Sequence, residues 1–298
     1  MVATEPLVLT SKIRPPTRRS ETIDRSRITS GLVGASGGLT LVTAPPGFGK
    51  STLLAQWIEQ DDRPFAFVTL EETENDPIAL WTCIVRAIQS VEPSFAAAVE
   101  PQLRSMGSLA LDLLVVRIIA EMERLERPLV LALDDLHTVK NAACHSSLAS
   151  LITHPTNVSL ALSSRADPPL PIGSVRASGG LREIRGADLA FTTDEAAEFM
   201  NGVMALDLTK EQIDGLVERT EGWPAGLHLA SLGLRTTADR DTFLSSFGGS
   251  NRQVVDYLTE VVLDAVEDDA RSFLLETSIL ARMTAPLDRK STRLNSSH

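Results

Sequence analysis

The sequence has 298 residues, of which 43% are hydrophobic and 22% charged, which excludes a disordered chain and predicts two or three globular units. Its formal net charge of -11 argues against a large basic face, so we expect any contacts with DNA to lie outside these residues. The two cysteines lack a C-x-x-C spacing, which argues against a disulfide framework or a zinc site and favours buried free thiols.

The beginning of the chain lacks the charged start and apolar run of a secretory signal. The most apolar long stretch, residues 109–122, carries Asp112 and Arg117 and is too short to cross a bilayer. We therefore expect a cytoplasmic protein.

Along the chain, a proline- and arginine-rich arm is followed by a β-branched apolar run at 39–43, which predicts a buried strand ending at a Pro-Pro pair. After a glycine loop, Leu53, Leu54, Trp57 and Ile58 fall on one helical face. The later predicted strands are 65–70, 129–133 and 158–164, and the later predicted helices are 76–88, 109–125 and a segment around 144–151. Strands without alternation, interleaved with helices, predict an α/β fold with a parallel sheet covered on both faces.

Past residue 184 the pattern changes to short helices with recognisable starts. Thr192 with Glu195, and Thr209 with Gln212, fit capping boxes, and Pro224 fits the first turn of a helix. After a polar break at 245–252, a further helical pattern begins. The last ten residues are polar and aperiodic, and we exclude them from the fold as a non-native tail.

The stretch APPGFGKSTLL at 44–54 fits the phosphate-binding pattern G-x-x-x-x-G-K-[ST], except that Ala44 replaces the first glycine. Since prolines carry no amide hydrogen, an anion nest here consists of the amides of residues 47–51, at the start of a helix. Lys50 would neutralise phosphate oxygens, and the Ser51 hydroxyl would bind Mg²⁺. The alternative is a simple proline-glycine turn, but the predicted position between a strand and a helix favours the phosphate loop.

The stretch LALDDLH at 131–137 ends an apolar strand with two acids. We predict that Asp134 faces the metal and that Asp135 activates the attacking water. The alternative is an acidic turn that caps the next helix. Arg165 follows the next strand, and ligands gather at the carboxyl ends of parallel strands, so it is a candidate for contact with the γ-phosphate; a solvent-exposed arginine is the alternative.

With these motifs, the chain resembles the STAND class of signal-transduction NTPases, and within it the MalT-like, LuxR-type transcriptional regulators. The resemblance covers residues 11–288 and rests on SKIRPPTRR, IDRSRI, TAPPGFGKSTLLAQW, LALDDLH, SSRADPPLP and EGWPAGLHLA. A-P-x-G-x-G-K is similar to this family's own form of the loop.

The resemblance implies that Arg165 is a sensor arginine and that Arg25 lies near the nucleotide base. It also implies that Gly222, Trp223 and Pro224 form a G-x-P element in a helical lid over the nucleotide, although Trp223 also fits a core aromatic. The predicted binding residues are Gly47, Phe48, Gly49, Lys50, Ser51, Thr52, Arg25 and Pro224; the predicted catalytic residues are Asp135 and Arg165, and the predicted metal ligands are Ser51 and Asp134.

The predicted fold is therefore a three-layer P-loop NTPase sheet, followed by an α-helical lid domain and the start of a winged-helix unit. The predicted domains are an arm at 1–30, the NTPase at 31–185, the lid at 186–248, an incomplete winged helix at 249–288 and the tail at 289–298.

The predicted function is that of an ATP- and Mg²⁺-dependent switch with slow hydrolysis, in a transcriptional activator whose inducer-sensing and helix-turn-helix DNA-binding domains are not in this chain. The resemblance further implies self-association of the ATP-bound form. No membrane partner is expected, because the most apolar long stretch is too short to cross a bilayer. Two alternatives stay open: an AAA+-like motor ATPase, and a scaffold that binds nucleotide without hydrolysing it. A transporter subunit is disfavoured because no L-S-G-G-Q signature occurs.

Overall fold

The computed structural model describes residues 8–35, 38–95, 111–154, 156–237, 239–248 and 252–259. By their internal contacts the residues divide into two compact units, Met1–Thr236 and Thr237–His298. The first unit contains the sheet and every residue that the sequence predicts to form the site.

The first unit is built on a five-stranded parallel sheet with the order β2-β3-β4-β1-β5. The strands are β1 (Leu39–Thr43), β2 (Phe65–Thr69), β3 (Leu129–Asp134), β4 (Val158–Ser164) and β5 (Leu181–Arg185). Residues at 181–184 did not stand out as a strand in the sequence, because Arg182 and Glu183 are exposed on this edge strand. The predicted parallel α/β sheet is confirmed.

The described residues of the two units also form helices. They are α1 (Ser26–Thr29), α2 (Lys50–Gln60), α3 (Pro77–Gln89), α4 (Leu111–Glu123), α5 (Ala142–Thr153), α6 (Ile172–Ala177), α7 (Gly186–Leu189), α8 (Thr193–Ala197), α9 (Lys210–Thr220), α10 (Pro224–Thr236), α11 (Arg240–Ser246) and α12 (Arg252–Leu258). Short 3₁₀ turns lie at Glu72–Asn75 and Leu136–Thr138, and a π-helical turn follows α8 at Glu198–Val203.

The two faces of the sheet carry separate cores. Leu39 and Leu41 of β1 belong to a core cluster with α3, α4 and α5, whereas Val42 belongs to a cluster with α2. Successive side chains of a strand point to opposite faces of the sheet. When both faces are covered, every residue of the strand is buried, and the strand is therefore apolar throughout. The architecture is therefore three-layered. Both cysteines are buried and free, as predicted.

The helical part after β5 begins its helices as the sequence predicts. Both capping boxes form: the Thr192 hydroxyl accepts from the amide of Glu195, and the Thr209 hydroxyl accepts from the amide of Gln212. Pro224 occupies the first position of α10. Whether this part is a nucleotide lid remains a prediction.

The second unit is described at 237, 239–248 and 252–259. Its helix α11 begins where the Asp239 carboxylate accepts from the amide of Thr242, and the rings of Phe243 and Phe247 lie 5.5 Å apart. Most of the predicted winged-helix segment and all of the predicted tail lie outside the described residues. Within the described ranges, no helix combines the length and apolar character that a membrane span requires.

The arm is fastened to the sheet edge by a buried ion pair. Lys12 Nζ lies 2.9 Å from Glu74 Oε1 and donates to Thr73 Oγ1 at 2.6 Å, and Glu74 is only 2% exposed. The Lys12 carbonyl also accepts from the amide of Thr69 on edge strand β2. Burial raises the pKa of Glu74, but the hydrogen bonds from Lys12, the Glu71 amide and Thr73 outweigh it and lower that pKa below its ordinary value.

We expect Lys12→Ala to lower the free energy of unfolding by about 3 kcal/mol or more, because it leaves the buried Glu74 carboxylate without its cation. Urea unfolding measures this loss, with the exposed Lys210→Ala as control. Since folding lowers the Glu74 pKa, its stabilisation is present above the ordinary pKa of 4.5 and is lost as the pH falls. The stability difference between variant and wild type should therefore shrink in acid. An equal effect of the two substitutions would contradict this role of the pair.

Candidate functional site

The loop between β1 and α2 has the backbone of an anion nest. Gly47 and Gly49 both have φ of 80°, a left-handed conformation that favours glycine, and α2 begins directly after Gly49. Within the described ranges, the amides of Gly47, Phe48 and Gly49 donate to no protein acceptor. Amides left without a partner at a helix start, where the dipole is positive, suit the oxygens of a phosphate.

Lys50 turns its ammonium back toward the loop. It is 8% exposed, and Nζ donates to the carbonyls of Ala44 at 2.8 Å and Pro45 at 3.3 Å. Burial lowers the pKa of Lys50. The charge of Arg165 lowers it further, whereas the charges of Asp135 and Asp134 oppose the shift. The Lys50 ammonium is therefore within the electrostatic influence of one cation and two acids.

Ser51 and Asp134 are in direct contact. Ser51 Oγ donates to Asp134 Oδ2 at 2.7 Å. Ser51 lies after β1 and Asp134 ends β3, and β4 lies between these two strands in the sheet. Asp134 is 3% exposed, and its other oxygen accepts from the hydroxyl of Ser163 on β4. A hydroxyl and a carboxylate oxygen at one point are the hard donors that Mg²⁺ prefers, so these residues fit the ion.

Asp135 follows at the tip of β3 in a left-handed conformation, with φ of 59°. Its amide donates to Asp134 Oδ1 and to Ser163 Oγ, both at 3.1 Å. Burial raises the pKa of Asp135, as does the charge of Asp134, while Lys50 and Arg165 oppose the shift. A carboxylate with a raised pKa accepts a proton more readily, which suits a general base.

His137 lies beside this acid. Its Nδ1 is 3.7 Å from Asp135 Oδ1, too far for a hydrogen bond. Burial lowers the pKa of His137 to about 4, and the charges of Arg165 and Lys50 contribute to this shift. The ring is therefore neutral at pH 7. Arg165 itself is partly buried after β4, and its charge acts on Lys50, Asp135 and His137.

The helical part touches the phosphate loop through the predicted G-x-P element. Trp223 Nε1 donates to the Pro46 carbonyl, and the Ala225 amide donates to the Gly47 carbonyl, both at 3.1 Å. Gly222 has φ of 68°, and a β-carbon there would lie 2.5 Å from the Phe191 carbonyl oxygen. Only glycine fits this close approach.

A cavity of about 300 Å³ opens beside the loop. Its walls come from the arm, the phosphate loop with α2, and the helical part. Among the lining residues are Arg25, Gly47, Phe48, Gly49, Thr52, Leu189, Phe191, Phe199, Pro224 and His228. Six of the residues predicted to bind nucleotide thus line one cavity; Lys50 and Ser51 lie next to them in sequence, at the start of α2.

Arg25 is buried in the wall of this cavity. Its guanidinium carbon lies 4.8 Å from the centroid of the Phe191 ring, and Nη2 donates to the Leu189 carbonyl at 2.8 Å. Nε has no hydrogen-bond partner within the described residues and is 3.7 Å from Glu195 Oε1. Burial lowers the pKa of Arg25, and the charge of Glu195 opposes this shift.

Sequence reasoning missed several residues that shape the site. Gln56 of α2 is fully buried and fixes the arm, since Oε1 accepts from the Arg25 amide and Nε2 donates to the Ile23 carbonyl, both at 2.8 Å. Ser163 orients Asp134. Neither residue gave a local signal in the sequence, because their burial and their contacts between distant segments are visible only in the structure.

Known proteins are similar to this chain. Residues 21–163 match the AAA ATPase domain family. The serine/threonine-protein kinase PknK of Mycobacterium tuberculosis is 32% identical over 277 residues, which cover 91% of this chain and 25% of the kinase. The HTH-type transcriptional regulator MalT of Yersinia enterocolitica is 32% identical over 285 residues, which cover 94% of this chain and 32% of the regulator. The chain thus spans about a quarter to a third of the length of these relatives.

Among solved structures, the Walker-type ATPase of Pyrococcus abyssi has a similar fold. The TM-score is 0.54 at 15% sequence identity, over 87% of this chain and 79% of that chain. At this identity the similarity concerns the fold alone. With a glycine-rich phosphate loop on a five-stranded parallel sheet, residues 21–163 form a P-loop NTPase domain of the AAA ATPase family, and the chain is similar in sequence to about a third of the MalT regulator.

Proposed function

We propose that this chain is the ATP-binding and slowly hydrolysing switch module of a LuxR-type, MalT-like transcriptional activator. The observation that carries the proposal is the contact between Ser51 and Asp134 at the start of the phosphate loop helix. A hydroxyl and a buried carboxylate meet there, next to a buried lysine and to loop amides that have no acceptor among the described residues. This set of groups is suited to a magnesium-bound phosphate chain.

The phosphates would bind to the amides of Gly47, Phe48 and Gly49 and to the ammonium of Lys50. Ser51 and Asp134 would hold Mg²⁺, which neutralises phosphate charge when it is bound. Asp135 would orient and deprotonate the attacking water, and Arg165 would respond to the γ-phosphate. A contact that only the γ-phosphate makes is what separates the ATP state from the ADP state of a switch.

The cavity between the arm and the helical part would take the base. Phe191 and Phe199 supply aromatic surfaces, with ring centroids 5.8 Å apart, and Arg25 and His228 add polar edges. Adenine preference is inferred from the family, since the sequence contains no N-K-x-D guanine motif. The arm and the helical part are different segments of the chain. A nucleotide that contacts both would therefore favour the docked position of the helical part against the arm.

The wider biological role is inferred from the relatives. MalT is a helix-turn-helix transcriptional regulator by its name, and this chain spans a third of it. We propose that the chain consists of an arm at 1–30, an NTPase domain at 31–185, a lid at 186–248 and a winged-helix unit from 249. Inducer and DNA would then bind outside this chain, in the cytoplasm, and the ATP form would self-associate. Sequence-specific DNA binding by this chain alone would contradict that division.

Affinity measurements with ATP, ADP and GTP, each with and without Mg²⁺, test this proposal directly. We expect ATP and ADP to bind in preference to GTP, and Mg²⁺ to strengthen ATP binding. The absence of ATP binding would refute the proposal. A motor ATPase would show turnover that rises steeply with protein concentration, and a non-hydrolysing scaffold would be isolated with ATP intact.

We expect Phe191→Ala to weaken ATP binding about tenfold, because an aromatic surface for the base is lost. Isothermal titration of ATP measures this effect. Phe243→Ala in the second unit removes an equivalent side chain whose ring packs against Phe247, and it serves as the control. Equal affinities for the two variants would place the base elsewhere.

A further inference from the structure

The helical part reaches the phosphate loop with two donors that both bind loop carbonyls. The indole of Trp223 donates to the Pro46 carbonyl, and the backbone of Ala225 donates to the Gly47 carbonyl, each at 3.1 Å. The Ala225 amide lies in the first turn of α10, where helix amides have no partner within the helix. These two contacts therefore give hydrogen-bond partners both to donors of the helical part and to carbonyls of the phosphate loop.

Each of these carbonyls shares a peptide unit with a loop amide. The Pro46 carbonyl belongs to the same planar unit as the Gly47 amide, and the Gly47 carbonyl to the same unit as the Phe48 amide. No described peptide bond is cis, and in a trans peptide the C=O and N–H bonds point in opposite directions. Holding the two carbonyls toward α10 therefore turns the two amides away from it.

Those two amides belong to the proposed phosphate nest. Within the described ranges neither donates to a protein acceptor. The loop has little internal restraint on their direction, because Gly47 lacks a β-carbon and takes φ of 80°. Two glycines within three residues leave the peptide planes easy to rotate. A hydrogen bond from outside the loop can therefore select one orientation of these peptide planes.

We propose that Trp223 is a positioning residue for the phosphate site: its indole N–H, together with the Ala225 amide, orients the amides of Gly47 and Phe48 toward the phosphates. This inference rests on the proposed binding of ATP. Trp223 acts through the loop and does not touch the nucleotide. By linkage, bound phosphate strengthens the contact with α10 as much as that contact strengthens phosphate binding.

A packing role is the competing account of the same side chain. Trp223 is half-buried, and its ring lies so close to Gly226 that a β-carbon there would be 2.6 Å from Cε3. Loss of packing would disturb the whole cavity wall and weaken every ligand of the site. Loss of the indole hydrogen bond alone would weaken only ligands that carry phosphate.

The substitution Trp223→Phe separates these accounts, because it keeps an aromatic ring and removes the N–H. ATP and ADP affinities are measured by isothermal titration, and adenosine affinity by ligand-observed NMR. We expect ATP and ADP to bind about fivefold more weakly, as for the loss of one neutral hydrogen bond, and adenosine affinity to stay unchanged.

Trp81→Phe is the matched control. The Trp81 indole donates to Ser147 Oγ at 2.9 Å inside the core that α3 and α5 form, so the same bond type is lost away from the loop. We expect a lower melting temperature for this variant and unchanged affinity for all three ligands.

Two results for Trp223→Phe overturn the inference: an equal loss of affinity for ATP, ADP and adenosine, or no loss for any of them. Failure of the wild-type chain to bind ATP would instead refute the proposed function, so the two failures are distinguishable.

Discussion

Lys50→Ala is expected to weaken ATP binding by roughly 100-fold or more, a larger loss than we expect for Phe191→Ala or Trp223→Phe. The ammonium is the one buried lysine at the phosphate loop among the described residues, and it lies at hydrogen-bond distance from two loop carbonyls. In the complex it would exchange these carbonyls for phosphate oxygens. Charge-assisted hydrogen bonds to phosphate are about twice as strong as neutral ones, so their loss is severe.

The unliganded protein should tolerate this change. Burial lowers the pKa of Lys50, which means that the folded environment disfavours the charge. Because burial of this charge is unfavourable, its removal should change the free energy of unfolding only slightly. Lys50→Met preserves the aliphatic stem as well, and we expect it to unfold at nearly the wild-type urea concentration while it loses ATP.

Titration calorimetry with ATP and Mg²⁺ is the measurement, and Lys210→Ala is the control. Lys210 is exposed and pairs with Asp214 one helical turn away, so its removal should leave ATP affinity unchanged. Wild-type affinity in both Lys50 variants would mean that the loop does not bind phosphate.

Much of the fold follows from local patterns in the sequence. The apolar runs of β1 and β4 coincide with the strands in the structure, and the two capping boxes form at Thr192 and Thr209. These features are local, since an apolar run or a cap depends on residues within one turn or strand. Strand order is not local: the sequence predicts a parallel sheet, but nothing in it predicts that β4 lies between β1 and β3.

The candidate site shows the same division. The phosphate loop and the acids after β3 lie in short motifs, and the sequence identifies them. The buried glutamine of α2 that fixes the arm, the serine of β4 that orients Asp134, and the aromatic wall at Phe191 act through contacts between distant segments. No periodicity or spacing encodes such contacts. The family resemblance did indicate Arg25 and Pro224, and both line the cavity.

Asp135→Asn should reduce ATP hydrolysis by about 10²- to 10⁴-fold and leave ATP affinity within about twofold of the wild type. Ser51 donates to Asp134, and Asp135 follows Asp134 at the tip of β3, so the proposed base and the proposed metal ligand are separate groups. Asparagine is nearly the same size as aspartate and tolerates the left-handed conformation at this position, with φ of 59°. The substitution therefore removes proton acceptance and one negative charge while it keeps the size of the side chain.

The pH dependence gives a second test of the same residue. Burial and the charge of Asp134 raise the pKa of Asp135 above its ordinary value of 3.8. A general base works only when it is deprotonated, so wild-type turnover should fall as the pH drops through this raised pKa. The residual activity of Asp135→Asn should lack that acid limb.

Phosphate release in a single turnover, with ATP already bound, measures the chemical step without a contribution from affinity. Asp62→Asn changes an exposed acid two residues beyond the end of α2 and controls for the loss of one negative charge. Asp134→Asn should differ from both, since it should weaken the Mg²⁺ dependence of ATP binding. Unchanged turnover in Asp135→Asn would assign water activation to another group, and loss of ATP binding in that variant would place Asp135 in the binding site instead of the catalytic step.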